Sequence, residues 1–229
     1  MKLNCLLLFI CSFLFGFFPD FYLIGQSKED PDPLRFEESF QKFSSEDRGI
    51  QSFGNDLTLF TGSSSIRKWT TLSTDFPEIQ LLNRGFGGAH ISDLIHYYPK
   101  LFPHYKPKRI ILYCGENDLW SGKSYPQVLE DFQILWERIR SDLPNVTLIY
   151  LSCKPSPKRI SKWNLYQSLN LRIKNLCLRT KGMTFIDLSP TVLKANMKFH
   201  PGLWEEDQLH VNGSGYARWT KWIRPTLGL

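Results

Sequence analysis

DLTLFTGSSSIRKWTTL, residues 56–72, decides how the rest of the chain is read. Leu57, Leu59 and Phe60, interleaved with the β-branched Thr58 and Thr61, make a short apolar run suited to a buried strand. Gly62-Ser63-Ser64-Ser65 is a small-residue turn, and the residues beyond it predict a helix near Ser65 to Leu72. The same strand, turn and helix recur outward. IQLLNRG (79–85) precedes a predicted helix from Ile91 to Leu101, and KRIILYCG (108–115) one from Pro126 to Arg140. VTLIYLSC (146–153) precedes a helix from Trp163 to Arg179, and MTFIDL (183–188) comes before a last one from Gly215 to Ile223. Five continuous apolar strands alternating with helices imply an α/β fold, a mostly parallel sheet covered on both faces. Such sheets bind ligands outside the carboxyl ends of their strands, so the chemistry is sought just after each apolar run.

The 229 residues, 42% of them hydrophobic, suit one globular domain, assigned to residues 55–229. Residues 27–54 read as a polar, Pro-punctuated linker and a packing helix with Phe36, Phe40 and Phe43 at helical spacing. Residues 1–26 begin with a lone Lys and an apolar run short for a membrane span, which is the pattern of a signal peptide or an N-terminal membrane anchor. The protein is therefore expected to be exported: periplasmic, secreted, or anchored on the extracytoplasmic side, with membrane association through that segment. The formal charge of +6 includes the cluster Lys154, Lys158, Arg159 and Lys162. This cluster is too short and too broken by proline to indicate nucleic acid, and reads as a solvated loop able to meet an anionic substrate. Cys114, Cys153 and Cys177 are odd in number and lack CxxC spacing, so no disulfide framework is indicated.

Four loops carry candidate chemistry. Ser64 sits where a strand delivers a hydroxyl to a helix start, which suits either a nucleophile beside an oxyanion or a helix cap. Asn83-Arg84-Gly85-Phe86-Gly87-Gly88 lets backbone approach a ligand closely, or is a simple tight turn. Its third glycine position is His90, and no P-loop occurs, so nucleotide binding is disfavoured. Asn117, at the end of the third run, can donate its amide to an oxyanion or merely form a turn. Asp207 and His210 are three positions apart; on a helix-like turn the carboxylate can accept from Nδ1–H and leave Nε2 free to take a serine proton. No HExxH or Cys/His grouping suggests a metal.

Taken together, Ser64, Gly88, Asn117 and His210 follow the order and spacing of the four blocks of the SGNH hydrolases. The chain resembles especially the bacterial GDSL-type esterases, through GSSSIR, NRGFGG, GENDL, KPSP and LHxNxxGY; its GFGG and LHxNxxGY segments are also similar to those of platelet-activating-factor acetylhydrolase catalytic subunits. The resemblance implies a flavodoxin-like, three-layer α/β/α fold on a five-stranded sheet. It also implies a serine hydrolase that forms an acyl-enzyme on Ser64 with His210 as base, oriented by Asp207. The amides of Ser64 and Gly88 and the Asn117 side chain would hold the oxyanion, and no cofactor is implied. One departure is Ser63, where the family's name motif has Asp, so the nucleophile turn must be supported differently. Arg84, Trp120, Lys154 and Arg159 follow strand ends and are expected to shape a pocket for a small-molecule, lipid or acylated-glycan ester. The alternatives are a non-catalytic envelope binding module on the same fold and an acyltransferase to a glycan.

Overall fold

The computed structural model describes residues 28–50 and 52–229; the apolar segment read as a leader or anchor lies outside them. Strands β1 (Thr58–Gly62), β2 (Leu81–Gly85), β3 (Arg109–Tyr113), β4 (Thr147–Leu151) and β5 (Met183–Ile186) pair in the order β2-β1-β3-β4-β5. Every pairing is parallel, where the sequence predicts a mostly parallel sheet. Each strand returns through a helical crossover, and none through a hairpin. The helices are α1 (Glu37–Glu46), α2 (Ser64–Arg67), α3 (Leu72–Asp75), α4 (Ile91–His96), α5 (Tyr98–Tyr105), α6 (Glu116–Ser121), α7 (Tyr125–Asp142), α8 (Trp163–Arg179), α9 (Ser189–Val192) and α10 (Gly213–Leu227).

Alternation along each strand makes the three layers. Leu59, Ile110, Leu112, Leu148 and Tyr150 join the core under α1, α4, α5, α7 and α8. Their neighbours Phe60, Ile111, Tyr113, Ile149 and Leu151 face the opposite core, with α2, α3, α9 and α10. On the first face α1 docks through aromatic rings: Phe36 and Phe40 meet Phe86 edge-on at 4.9 and 5.2 Å, and Phe40 stacks on Tyr97 at 3.8 Å. Ahead of it, Asp30 takes hydrogen bonds or ion pairs from Ser92 and Lys123. Among the described residues, no helix is long and apolar enough to cross a membrane. Cys114, Cys153 and Cys177 are buried free thiols.

Two predicted helices are each split in the structure. The segment from Ser65 to Leu72 becomes α2 and α3, because Trp69 turns into the core at 1% exposure and the β-branched pair Thr70-Thr71 follows it. The segment from Ile91 to Leu101 becomes α4 and α5; Pro99 lacks the N–H that a continuous helix would return to Ile95, and instead occupies the first turn of α5. What matters for the site is register. Gly62 is level with Gly85 on one side and Tyr113 on the other, so the loops after β1, β2 and β3 leave the sheet from a single row.

Candidate active site

The loop after β1 begins with a backbone that only glycine tolerates. Gly62 has φ +118°, and a Cβ there would lie 2.1 Å from the Tyr113 carbonyl oxygen. The absence of a side chain lets Ser63 N–H donate to that oxygen at 2.9 Å while Phe86 N–H donates to the Gly62 carbonyl at 2.9 Å. Ser63 is the extended residue that precedes α2, and Ser64 is the first helical residue. The cap position therefore falls on Ser63, and the Ser64 N–H is one of the first-turn donors that a helix cannot satisfy internally. Further support for the turn comes from outside it. Asn83 donates to the Ile66 carbonyl at 2.7 Å, and Tyr216 donates to the Ser65 carbonyl at 2.8 Å. These bonds stabilise a turn that has no Asp at position 63.

The second half of the site comes from a tight loop ahead of α10. Glu205 N–H donates to the His210 carbonyl at 2.8 Å, and Trp204 bridges Val211. Within it Asp207 Oδ1 accepts the N–H groups of Leu209 and His210, both at 2.9 Å, while Oδ2 lies 2.5 Å from His210 Nδ1. His210 Nε2 then meets Ser64 Oγ at 2.7 Å. Lys68 Nζ stands 3.5 Å from Asp207 Oδ2. Partial burial pushes the Asp207 carboxyl up, but the backbone N–H and ring of His210 and the Leu209 N–H outweigh it and hold the group well below the carboxylate range. Burial holds the His210 imidazole below its ordinary value; Asp207 opposes this, and Lys68 and Lys154 add to it. A neutral imidazole with Nδ1–H held by a carboxylate can take a proton from the Ser64 hydroxyl.

Gly88 is exposed with φ +86°, in the loop after β2. Asn117, in the first turn of α6, reaches that loop: its Nδ2 donates to the Ala89 carbonyl at 3.1 Å, and its Oδ1 accepts from Arg159 Nη1 at 2.9 Å. The structure thus places Ser64 in contact with the Asp207/His210 pair, and ties Asn117 to the Ala89 carbonyl in the loop that carries Gly88.

Of the four residues expected to line a pocket, two are corrected. Arg84 is 5% exposed and spends its guanidinium on Tyr105 Oη at 2.7 Å, Asp47 at 2.5 Å and Glu46 at 3.2 Å, tying β2 to α1 and α5. Lys154 is 1% exposed; it donates to the Leu209 carbonyl at 3.0 Å and lies 3.5 Å from Glu116 Oε2. Both cations serve the interior and are not free to meet a substrate. Arg159 is half-buried and holds Asn117, with its guanidinium 5.0 Å above the Trp120 ring. Trp120 is exposed. Sequence reasoning missed Glu116, whose buried carboxylate receives Tyr113 Oη, Lys154 and Arg159. It also missed Lys68, one turn beyond Ser64. A charged residue adjoining Asn117 was the available signal for Glu116; its two cationic partners, 38 and 43 positions away, were not legible. Among the described residues, no group of three or more His, Cys, Asp or Glu is placed to hold a metal ion.

Solved structures with the same fold include a protein from Streptococcus pneumoniae described as a candidate platelet activating factor. It is 18% identical with a TM-score of 0.73, over 85% of this chain and 94% of that one. A GDSL-like lipase from Bacteroides thetaiotaomicron is 18% identical with a TM-score of 0.70, over 82% and 97%. A variant of an acetyl-xylooligosaccharide esterase from Geobacillus is 15% identical with a TM-score of 0.61, over 77% and 95%. At these identities the likeness shows the fold alone. No curated protein matches the sequence significantly. The match to the family described as GDSL-like Lipase/Acylhydrolase spans residues 52–218 and takes in Ser64, Gly88, Asn117, Asp207 and His210. On that ground the chain belongs to the GDSL-like lipase/acylhydrolase family, ester-hydrolysing serine hydrolases of the SGNH superfamily.

Proposed function

We propose that the chain hydrolyses a carboxylic ester carrying a short acyl group, through an acyl-enzyme on Ser64. What carries this reading is the continuous hydrogen-bonded chain from Ser64 Oγ through His210 to Asp207. Ser64 Oγ attacks the ester carbonyl carbon as its proton passes to His210 Nε2, and the carbonyl oxygen becomes an oxyanion. The N–H groups of Ser64 and Gly88 and the Asn117 amide receive that charge. Collapse breaks the ester C–O bond, and the alcohol leaves with the proton from His210. Water then attacks the acyl-enzyme, giving up its proton to His210, and the acid departs as Ser64 recovers its hydrogen. The short acyl group is supported by one of the similar folds, an esterase named for acetylated xylooligosaccharides.

The test is a p-nitrophenyl ester series of increasing acyl length, together with a fluorophosphonate probe. Turnover and labelling that persist in Ser63→Ala and Ser65→Ala and vanish in Ser64→Ala support the assignment; retention of both in Ser64→Ala refutes it. A preference for long chains would refute the short-acyl part alone. The reading extends to location: the residue 1–26 pattern supports export, and a reporter enzyme active only outside the cytoplasm, fused after residue 40, tests it by its activity.

A further inference from the structure

We propose that Arg159, anchored by the buried carboxylate of Glu116, is a positioning residue for the oxyanion. It sets the Asn117 amide so that the NH₂ and not the carbonyl oxygen serves the reacting centre. The inference rests on the reading of Asn117 as an oxyanion donor.

An Asn side chain has two orientations of nearly the same shape but opposite polarity. One turns an N–H toward a developing negative charge; the other turns a lone pair toward it and destabilises the same transition state. Something must choose between them. Here the partners do so without ambiguity, because a guanidinium can only donate and a peptide carbonyl can only accept. Arg159 Nη1 lies 2.9 Å from Oδ1, and the Ala89 carbonyl lies 3.1 Å from Nδ2. The two contacts demand the same orientation, and they leave the second N–H of the amide without a partner among the described residues.

Arg159 is itself held from three directions. Its Nη1 is 3.3 Å from Glu116 Oε1, and its guanidinium lies 5.0 Å over the Trp120 ring. Its backbone departs from helical geometry inside the turn Pro157–Lys162, with φ −120° and ψ 23°, and the neighbouring Lys158 N–H donates to the Gln208 carbonyl at 3.0 Å. The turn that aims Arg159 is thus pinned to the loop that carries Asp207 and His210. Glu116 closes the arrangement on the other side through Lys154, which also donates to the Leu209 carbonyl, the peptide group just before His210. One buried carboxylate between two cations leaves an excess of positive charge behind the oxyanion donor, where it stabilises negative charge in front of it.

The experiment is a double-mutant cycle on the full chain, reading kcat and KM with p-nitrophenyl acetate. Arg159→Met is expected to lower kcat about 10- to 100-fold, less than or equal to the loss of an oxyanion donor, with KM within about twofold. Arg159→Lys should recover part of that loss, and in an Asn117→Ala background Arg159→Met should cost less than about twofold more. Arg159→Leu, which likewise carries no donor, replaces the methionine variant if that one fails to fold. A rise in KM with kcat intact, or losses that multiply fully across the cycle, would overturn the positioning role while leaving Asn117 as the donor. An unchanged kcat in Asn117→Ala would overturn both that reading and this one.

Discussion

Nε2 of His210 and Oγ of Ser64 stand 2.7 Å apart although 146 positions separate them in the chain. This contact makes pH dependence a direct probe of the site. In the proposed role of base His210 must be neutral, and burial and the nearby lysines hold it below its ordinary value against the pull of Asp207. The acid limb of kcat/KM is therefore expected below about pH 6.5, the unperturbed imidazole value. Lys68→Met removes a cation that disfavours protonation, so the limb should move to higher pH. A pH–rate profile with its acid limb above neutrality, or unmoved in the variant, contradicts this assignment.

Gly62→Ala is expected to be among the most damaging single-methyl changes in the molecule. The added carbon would fall 2.1 Å from the Tyr113 carbonyl oxygen, at a φ that L-residues rarely adopt. A loss on the order of 3 kcal/mol or more is expected from strain plus the displaced strand end. Urea unfolding followed by tryptophan fluorescence measures it, and a change under 1 kcal/mol would show that the loop can relax.

Arg84→Met separates stability from substrate contact. Asp47 would be left with one cationic partner fewer in a site where its side chain is 9% exposed. Breaking such a pair typically costs about 3–5 kcal/mol. At a temperature where the variant stays folded, KM for p-nitrophenyl acetate should match that of the parent. A raised KM with unchanged thermal stability would restore the pocket role for Arg84.

Asp118 predicts a stability slope. Its Oδ1 accepts the Ile91 N–H at 3.0 Å, its Oδ2 has no hydrogen-bond partner, and burial pushes the carboxyl to about 7 despite that N–H. A folded-state pKa above the unfolded value means that the native state holds the proton more tightly, so stability falls as pH rises from about 4 to about 7. Asp118→Asn removes the titration. Relative to the parent it should gain stability across that window, by up to roughly 4 kcal/mol. Parallel stability curves for the two proteins would refute it.

The strand ends were legible because the apolar runs stop at or beside Gly, Ser, Asn or Asp, and the Asp207/His210 spacing was legible because the pair is local. Helix interruptions were not, since Trp69 is drawn into the core by tertiary packing and a lone proline such as Pro99 fits inside or at the start of a helix. Arg84 and Lys154 were misread for a different reason. A cation after a strand looks alike in sequence whether it faces solvent or a buried carboxylate, and Asp47 and Glu116 lie 37 and 38 positions from their respective partners. Arg159 was singled out as a pocket residue, but its bond to Asn117 depends on how two distant loops meet.

The wholly parallel pairing of β1 with both β2 and β3 also bears on how activity first appears during folding. No two neighbouring strands can meet until the helical connection between them has closed, which places such sheets among the slower folders. The proposed reacting groups come from the level ends of β1 and β3 and from a loop whose His210 lies 146 positions beyond Ser64. A half-assembled sheet thus holds an ordinary serine hydroxyl and no base. Regain of esterase activity after dilution from denaturant would report completion of the whole molecule, with no partial activity from intermediates.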